Sequence, residues 1–101
     1  MRKLLQVDFE FPGPFGDEMT EALTDLAESI NDEPGIIWKI WTENEQARLA
    51  GGIYLFEDET SASAYLKMHS ARLSAMGITN IRGRIFDLNT PLSTINRAPL
   101  A

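Results

Sequence analysis

At 101 residues, with 44% hydrophobic and 24% charged side chains, the chain has room for one modest core and the composition of an ordinary globular domain. A net charge of −6 argues against a nucleic-acid partner, because phosphate binding needs a basic face. The absence of cysteine removes disulfides, thiolate catalysis, iron–sulfur clusters and thiolate zinc sites together.

No apolar run approaches the roughly 20 residues needed to cross a bilayer, so no membrane partner is expected. Met1 to Leu5 opens with two positive charges, but Gln6, Asp8 and Glu10 interrupt any signal-peptide core, and a cytoplasmic location is the expectation. A single domain over 1–101 is predicted, with 89–101 as a C-terminal arm.

Leu5, Val7, Phe9 and Phe11 alternate with Gln6, Asp8 and Glu10, a period of two that predicts a half-buried strand. Pro12-Gly13-Pro14 breaks it. Asp17 is then the expected N-cap of a helix, with Glu18 and Glu21 where the helix dipole favours acids. Met19, Ala22, Leu23, Leu26 and Ile30 share one helical face. Pro34 and Gly35 end that helix and turn the chain.

A second strand is predicted from Ile36 to Glu43, a polar hairpin connection over Glu43 to Gln46, and a third strand from Gly51 to Phe56. The paired glycines mark a bulge or a close backbone approach. A second helix follows, capped by Asp58 or Thr60, with Ala62, Tyr65, Leu66, His69, Leu73 and Met76 on one face and Gly77 as its stop. A fourth strand is expected near Asn80 to Leu88. The tail carries a short turn of helix and then an arm.

The order β-α-β-β-α-β is the split arrangement of a ferredoxin-like α+β fold, a four-stranded antiparallel sheet with both helices on one face. The second face is left with large side chains: Trp38 or Trp41, Ile53 or Tyr54, Ile85 or Phe86. An apolar face of that size is a liability for a monomer, so a homodimer with two sheets enclosing a cavity is expected.

Several segments together resemble a known group. They are Gly13-Pro14-Phe15-Gly16-Asp17, Ile30 to Gly35, Trp38-Lys39-Ile40-Trp41-Thr42-Glu43 and Gly51 to Asp58. Ser61-Ala62 with Ala64-Tyr65-Leu66, and Pro91-Leu92-Ser93 with Ile95-Asn96, complete the set. The chain resembles the YdhR-like monooxygenase family of the dimeric α+β barrel (antibiotic-biosynthesis-monooxygenase-like) superfamily. That resemblance implies a homodimeric barrel with a pocket between sheet and helices in each subunit. It also implies oxygenation of a small aromatic or phenolic substrate, with no cofactor.

Cofactor-free oxygenation needs a base to form an electron-rich anion, a dry aromatic-lined pocket, and donors to hold the charge. His69, the only histidine, titrates where a general base is useful, and lies one turn from Tyr65. Its alternative is a hydrogen-bonded histidine at the rim of the core. Tyr54 and Tyr65 are candidate donors to a developing oxyanion, or else core rings with surface hydroxyls. Trp38 and Trp41 lie on opposite faces of a regular strand, so at most one lines any given cavity.

Lys39 and Asp8 are charged residues on strands. Lys39 reads as protection of an exposed strand edge, but pointing inward either residue becomes a site candidate, because unpaired charge is not buried without reason. Asp8 and Gln6 should line the face opposite the helices. Arg82 and Arg84, with Arg72, suggest a local positive spot, or an ion-paired strand edge. No metal cluster and no phosphate-binding loop is recognisable. The competing reading is a non-enzymatic dimeric module that binds a small aromatic ligand in the same cavity.

Overall fold

The structure, a computed structural model, describes residues 1–100. Four strands, β1 (Lys3–Glu10), β2 (Ile36–Asn44), β3 (Leu49–Phe56) and β4 (Arg82–Asp87), form one antiparallel sheet in the order β2-β3-β1-β4. Helices α1 (Gly16–Ile30) and α2 (Glu59–Ala75) supply the two crossovers, and a short α3 (Thr90–Ile95) follows β4. This is the ferredoxin-like α+β fold expected from the alternation of elements.

Strand register decides which side chains meet the helices. On β1 the buried residues are Leu5, Val7 and Phe9, as the period of two predicts. Tyr54 lies opposite Leu5 and Ala50 opposite Phe9, so Ala50, Gly52, Tyr54 and Phe56 share that face. Lys39 pairs with Tyr54 and Trp41 with Gly52, which puts both on the helix side. Trp38 and Ile40 therefore point to the other side. A register shift between Ile36 and Trp38 lets Ile36 also face the core.

Two packed clusters fill the helix side. One joins Leu5, Val7, Tyr54, Phe56, Ala62 and Tyr65; the other joins Phe9, Met19, Ala50, Leu73 and Ile78. Helix α2 presents Ala62, Tyr65, His69 and Leu73 to the sheet, and Met76, expected on that face, is mostly exposed at its end. Asp58 caps α2 by accepting from the Ser61 amide at 2.8 Å. The helix closes with Gly77 at positive φ, and the amides of Gly77 and Ile78 bond back to Ser74 and Leu73, a Schellman stop that folds Ile78 onto Leu73.

The expectations for α1 need two corrections. Its N-cap position is Phe15, with no side-chain cap, and Asp17 sits inside the first turn. The first amide is instead met from the sheet, Gly16 N–H donating to Glu43 Oε1 at 2.9 Å. Only Met19 and Ile30 of α1 are buried, Leu23 and Leu26 are half-buried, and Ala22 faces solvent. β3 begins at Leu49, earlier than expected. β4 begins only at Arg82, because Asn80 adopts positive φ and leaves the strand conformation.

The open face of the sheet carries Gln6, Asp8, Ile40, Arg82, Arg84 and Phe86. One end of it is crossed by the tail: the Trp38 indole donates to the Pro99 carbonyl at 2.9 Å, and Arg2 donates to the Leu100 carbonyl. Leu55, opposite Trp38 on this face, is fully buried. No helix among the described residues is long and apolar enough to cross a membrane.

Candidate active site

A small cavity of about 50 Å³ lies between the sheet and the helices. Phe9, Phe11, Met19, Leu73 and Ala50 wall it, and Lys39, Thr42, Tyr54 and His69 are its polar lining residues. It opens into a cleft of about 450 Å³ between α1 and the edge strand β2. Lys39, Trp41, Met19 and Leu23 border both spaces and so form the neck. The inner space has room for a few waters; the two together reach the size of a small-molecule site.

Lys39 is on the edge strand β2, and of its two readings, edge guard or inward-pointing site candidate, the side chain takes the second. Its Nζ sits 3.3 Å from the centroid of the Trp41 ring and 4.7 Å from that of Tyr54. Gly52 makes this possible, since a Cβ there would stand 2.6 Å from Lys39 Cε. The ion pairs among the described residues are Lys3–Asp87 and Arg82–Asp8, so the Lys39 ammonium has no carboxylate partner. Burial and the nearby Arg72 charge push its pKa down to about 7.

Above it on α2, spacings of four and three residues put Tyr65, His69 and Arg72 on one side of the helix. Arg72 Nη2 is 2.8 Å from His69 Nδ1 and 3.4 Å from the Tyr65 hydroxyl. A guanidinium only donates, so Nδ1 is the acceptor and the neutral ring carries its proton on Nε2. Burial, with Lys39 and Arg72 as like charges, pushes the His69 pKa down to about 3. At neutral pH the His69 ring is uncharged and a poor base.

The Tyr54 and Tyr65 hydroxyls lie 3.5 Å apart in the core. Burial first, then Tyr65, raises Tyr54 far above the usual phenol range, while burial also raises Tyr65. Both stay protonated. Tyr54 lines the cavity; Tyr65 packs behind it.

Among the described residues no three His, Asp or Glu side chains gather as a metal site. The model of the family described as "Putative mono-oxygenase ydhR" matches residues 4–99. The chain belongs to the ydhR family. No curated protein sequence matches it. Among solved structures, protein YjcS superimposes with TM-score 0.63 at 16% identity, covering 88% of this chain and all of that one (100%). SnoaB, a cofactor-independent oxygenase from Streptomyces nogalater, does so with TM-score 0.60 at 13% identity, covering 87% and 93%. NE2512 from Nitrosomonas europaea, a protein of unknown function, gives 0.58 at 20%, covering 87% and 89%. At these identities the likeness establishes a shared fold.

Of the residues singled out from sequence, the fold of this ydhR-family chain brings Lys39, Trp41, Tyr54 and His69 together around one cavity, with Tyr65 behind them. Trp38 and Asp8 lie on the opposite face, Trp38 tied to the tail and Asp8 to Arg82 at 2.5 Å. The three arginines do not gather: Arg82 and Arg84 are on the open face, and Arg72 is on the helix side. Arg72, read from sequence with Arg82 and Arg84 as a positive spot, instead partners His69, a pairing that the helix period does not reveal. Phe9, Phe11 and Met19 were legible as core but not as cavity wall.

Proposed function

We propose that this ydhR-family chain is a monooxygenase that oxidises a small aromatic or phenolic substrate with molecular oxygen and no cofactor, working as a homodimer. The observation that carries the reading is the Lys39 amine, held without a counter-ion against Trp41 and Tyr54 at the neck of an apolar cavity. Family membership and the oxygenase SnoaB among the neighbours support the reaction class.

In this scheme Lys39, rather than His69, is the base. With a pKa near 7 it is partly unprotonated at neutral pH and ready to take a proton from a phenol or an activated methylene. The resulting ammonium and the His69 Nε2–H then hold the substrate anion, while Trp41 stacks on its ring. The anion passes electrons to oxygen and a carbon–oxygen bond forms. For a methylene, one oxygen atom becomes the new carbonyl and the other leaves as water with the two methylene hydrogens. The apolar wall of Phe9, Phe11 and Met19 keeps bulk water from the anion.

The exposed Ile40 and Phe86 on the open face support the dimer, since that surface gains by packing on a second copy. Oxygen uptake by the purified protein on a panel of hydroquinones, anthrones and naphthols tests the chemistry. Uptake above autoxidation that rises with pH through about 7 and falls at least a hundredfold in Lys39→Met is expected. Full uptake in Lys39→Met would sink the assignment of the base. Ligand binding with no uptake on any compound would favour the aromatic-binding module instead.

A further inference from the structure

We propose that Lys39 is also an amine nucleophile, condensing with small aromatic aldehydes or ketones that enter the cleft between α1 and β2 to form a Schiff base at Nζ. Three features of its placement carry this. The side chain borders both the inner cavity and the outer cleft, so a carbonyl compound in either space lies beside it. The Trp41 and Tyr54 rings flanking the amine offer flat apolar surface to an aryl group attached to that carbonyl. And no carboxylate pairs with the amine to keep it protonated.

The charged and titratable groups around it agree. Arg72 and His69 face it from α2, one positive and one neutral, and Tyr54 from β3 is protonated. Glu28 and Glu43 border only the outer cleft, and Glu43 is engaged by the Gly16 amide. A lysine desolvated among apolar walls beside another cation is the setting in which amines become nucleophiles at neutral pH. The other two lysines differ. Lys3 is paired with Asp87 and Lys67 is solvent-exposed.

The step balances without an oxidant or a metal. The neutral amine adds to the carbonyl carbon and gives a carbinolamine. The carbonyl oxygen then leaves as water with the two amine hydrogens, and a carbon–nitrogen double bond remains. Once protonated, that imine draws electrons from the neighbouring carbon, which suits exchange of an α-proton or loss of carbon dioxide from a β-keto acid. Oxygen takes no part, so this inference does not rest on the oxygenase reading and is tested without it.

The test is reductive trapping under anaerobic conditions: the full chain with benzaldehyde or 2-naphthaldehyde and cyanoborohydride at pH 7, followed by peptide mapping. Lys39 should label roughly tenfold or more faster than Lys67, because Lys67 is solvent-exposed and has no aromatic slot to gather the aldehyde. Peptide mapping separates any adduct at the N-terminal amine from that at Lys39. In urea the preference for Lys39 should vanish, and in Lys39→Arg the fast adduct should be absent. Labelling of Lys39 no faster than Lys67 in the folded protein would overturn the proposal. So would a preference that survives in urea, since the pocket would then not be its cause.

Discussion

Arg72 Nη2 stands 2.8 Å from His69 Nδ1, one turn earlier on α2, and the guanidinium therefore dictates which nitrogen of the imidazole holds its proton. Nitrogen-15 NMR of the wild type should show a neutral His69, protonated at Nε2, with no titration between pH 5 and 8. Burial and the Lys39 charge, the larger causes of the depression, persist in Arg72→Gln, so that variant should raise the pKa only slightly above about 3 while freeing the ring from its fixed tautomer. A wild-type ring that titrates near 6.5 would refute the arrangement.

The same shift sets an acid limit. The folded His69 pKa lies below the unfolded value of 6.5, so below that pH the unfolded chain binds a proton the native state refuses. The stabilising contribution is complete above 6.5 and is lost as pH falls toward about 3, on the order of 1 kcal/mol per pH unit in that window. In His69→Gln, urea unfolding at a series of pH values should show a flatter decline. An unchanged slope would assign the acid sensitivity to other groups.

Lys39 costs stability at neutral pH. Its folded pKa of about 7 is below the unfolded 10.5, so stability rises from pH 7 to 10.5 and the full cost is present below 7. Lys39→Met should stabilise the protein by about 1–3 kcal/mol at pH 7 while removing the proposed oxygen uptake, a trade of site against stability. Denaturant melts at pH 7 and pH 10 check this, and the gain should shrink at the higher pH.

Gly52 gives the lysine its room. An alanine Cβ there would meet Lys39 Cε at 2.6 Å and Tyr54 Cε1 at 3.1 Å. The lysine end is flexible, so Gly52→Ala should fold with a loss of about 1–2 kcal/mol. It should nevertheless push the amine out of the aromatic slot, restoring an ordinary lysine pKa and cutting activity by about tenfold or more. Normal activity in this variant would mean the slot is not needed.

The tail is held by the Trp38–Pro99 hydrogen bond over a face that contains the fully buried Leu55. Deleting residues 98–101 should uncover that patch, lower stability by about 1–3 kcal/mol and shift tryptophan emission to the red. Thermal unfolding followed by fluorescence reads both effects at once. Unchanged emission would show that Trp38 keeps its cover without the tail.

Much of the architecture could be read from residue order. The alternation of Leu5, Val7 and Phe9 picks out the helix-facing side of β1, and Asp58 and Gly77 bracket α2 closely. The phase of β2 could not be read, for a physical reason. Ile36 to Trp41 is apolar on both sides, and the register shift after Ile36 breaks the parity that counting relies on. Whether Lys39 guards an edge or enters the core was therefore decided by pairing with Tyr54, a contact fifteen residues away in sequence. Arg72 was hidden differently: its meaning depends on the His69 ring beside it, and a helix period gives faces but not partners.

The loose seating of α1, anchored by Met19 and Ile30 with a cleft between it and β2, divides labour within the fold. The reactive groups stand on β2, β3 and α2, while the inner side of the cleft that meets an incoming molecule is a different helix. Thr20, Thr24 and Ala27 can then change without moving Lys39 or His69. Such a scaffold is free to acquire new substrates along one helix while its reaction stays fixed on the others.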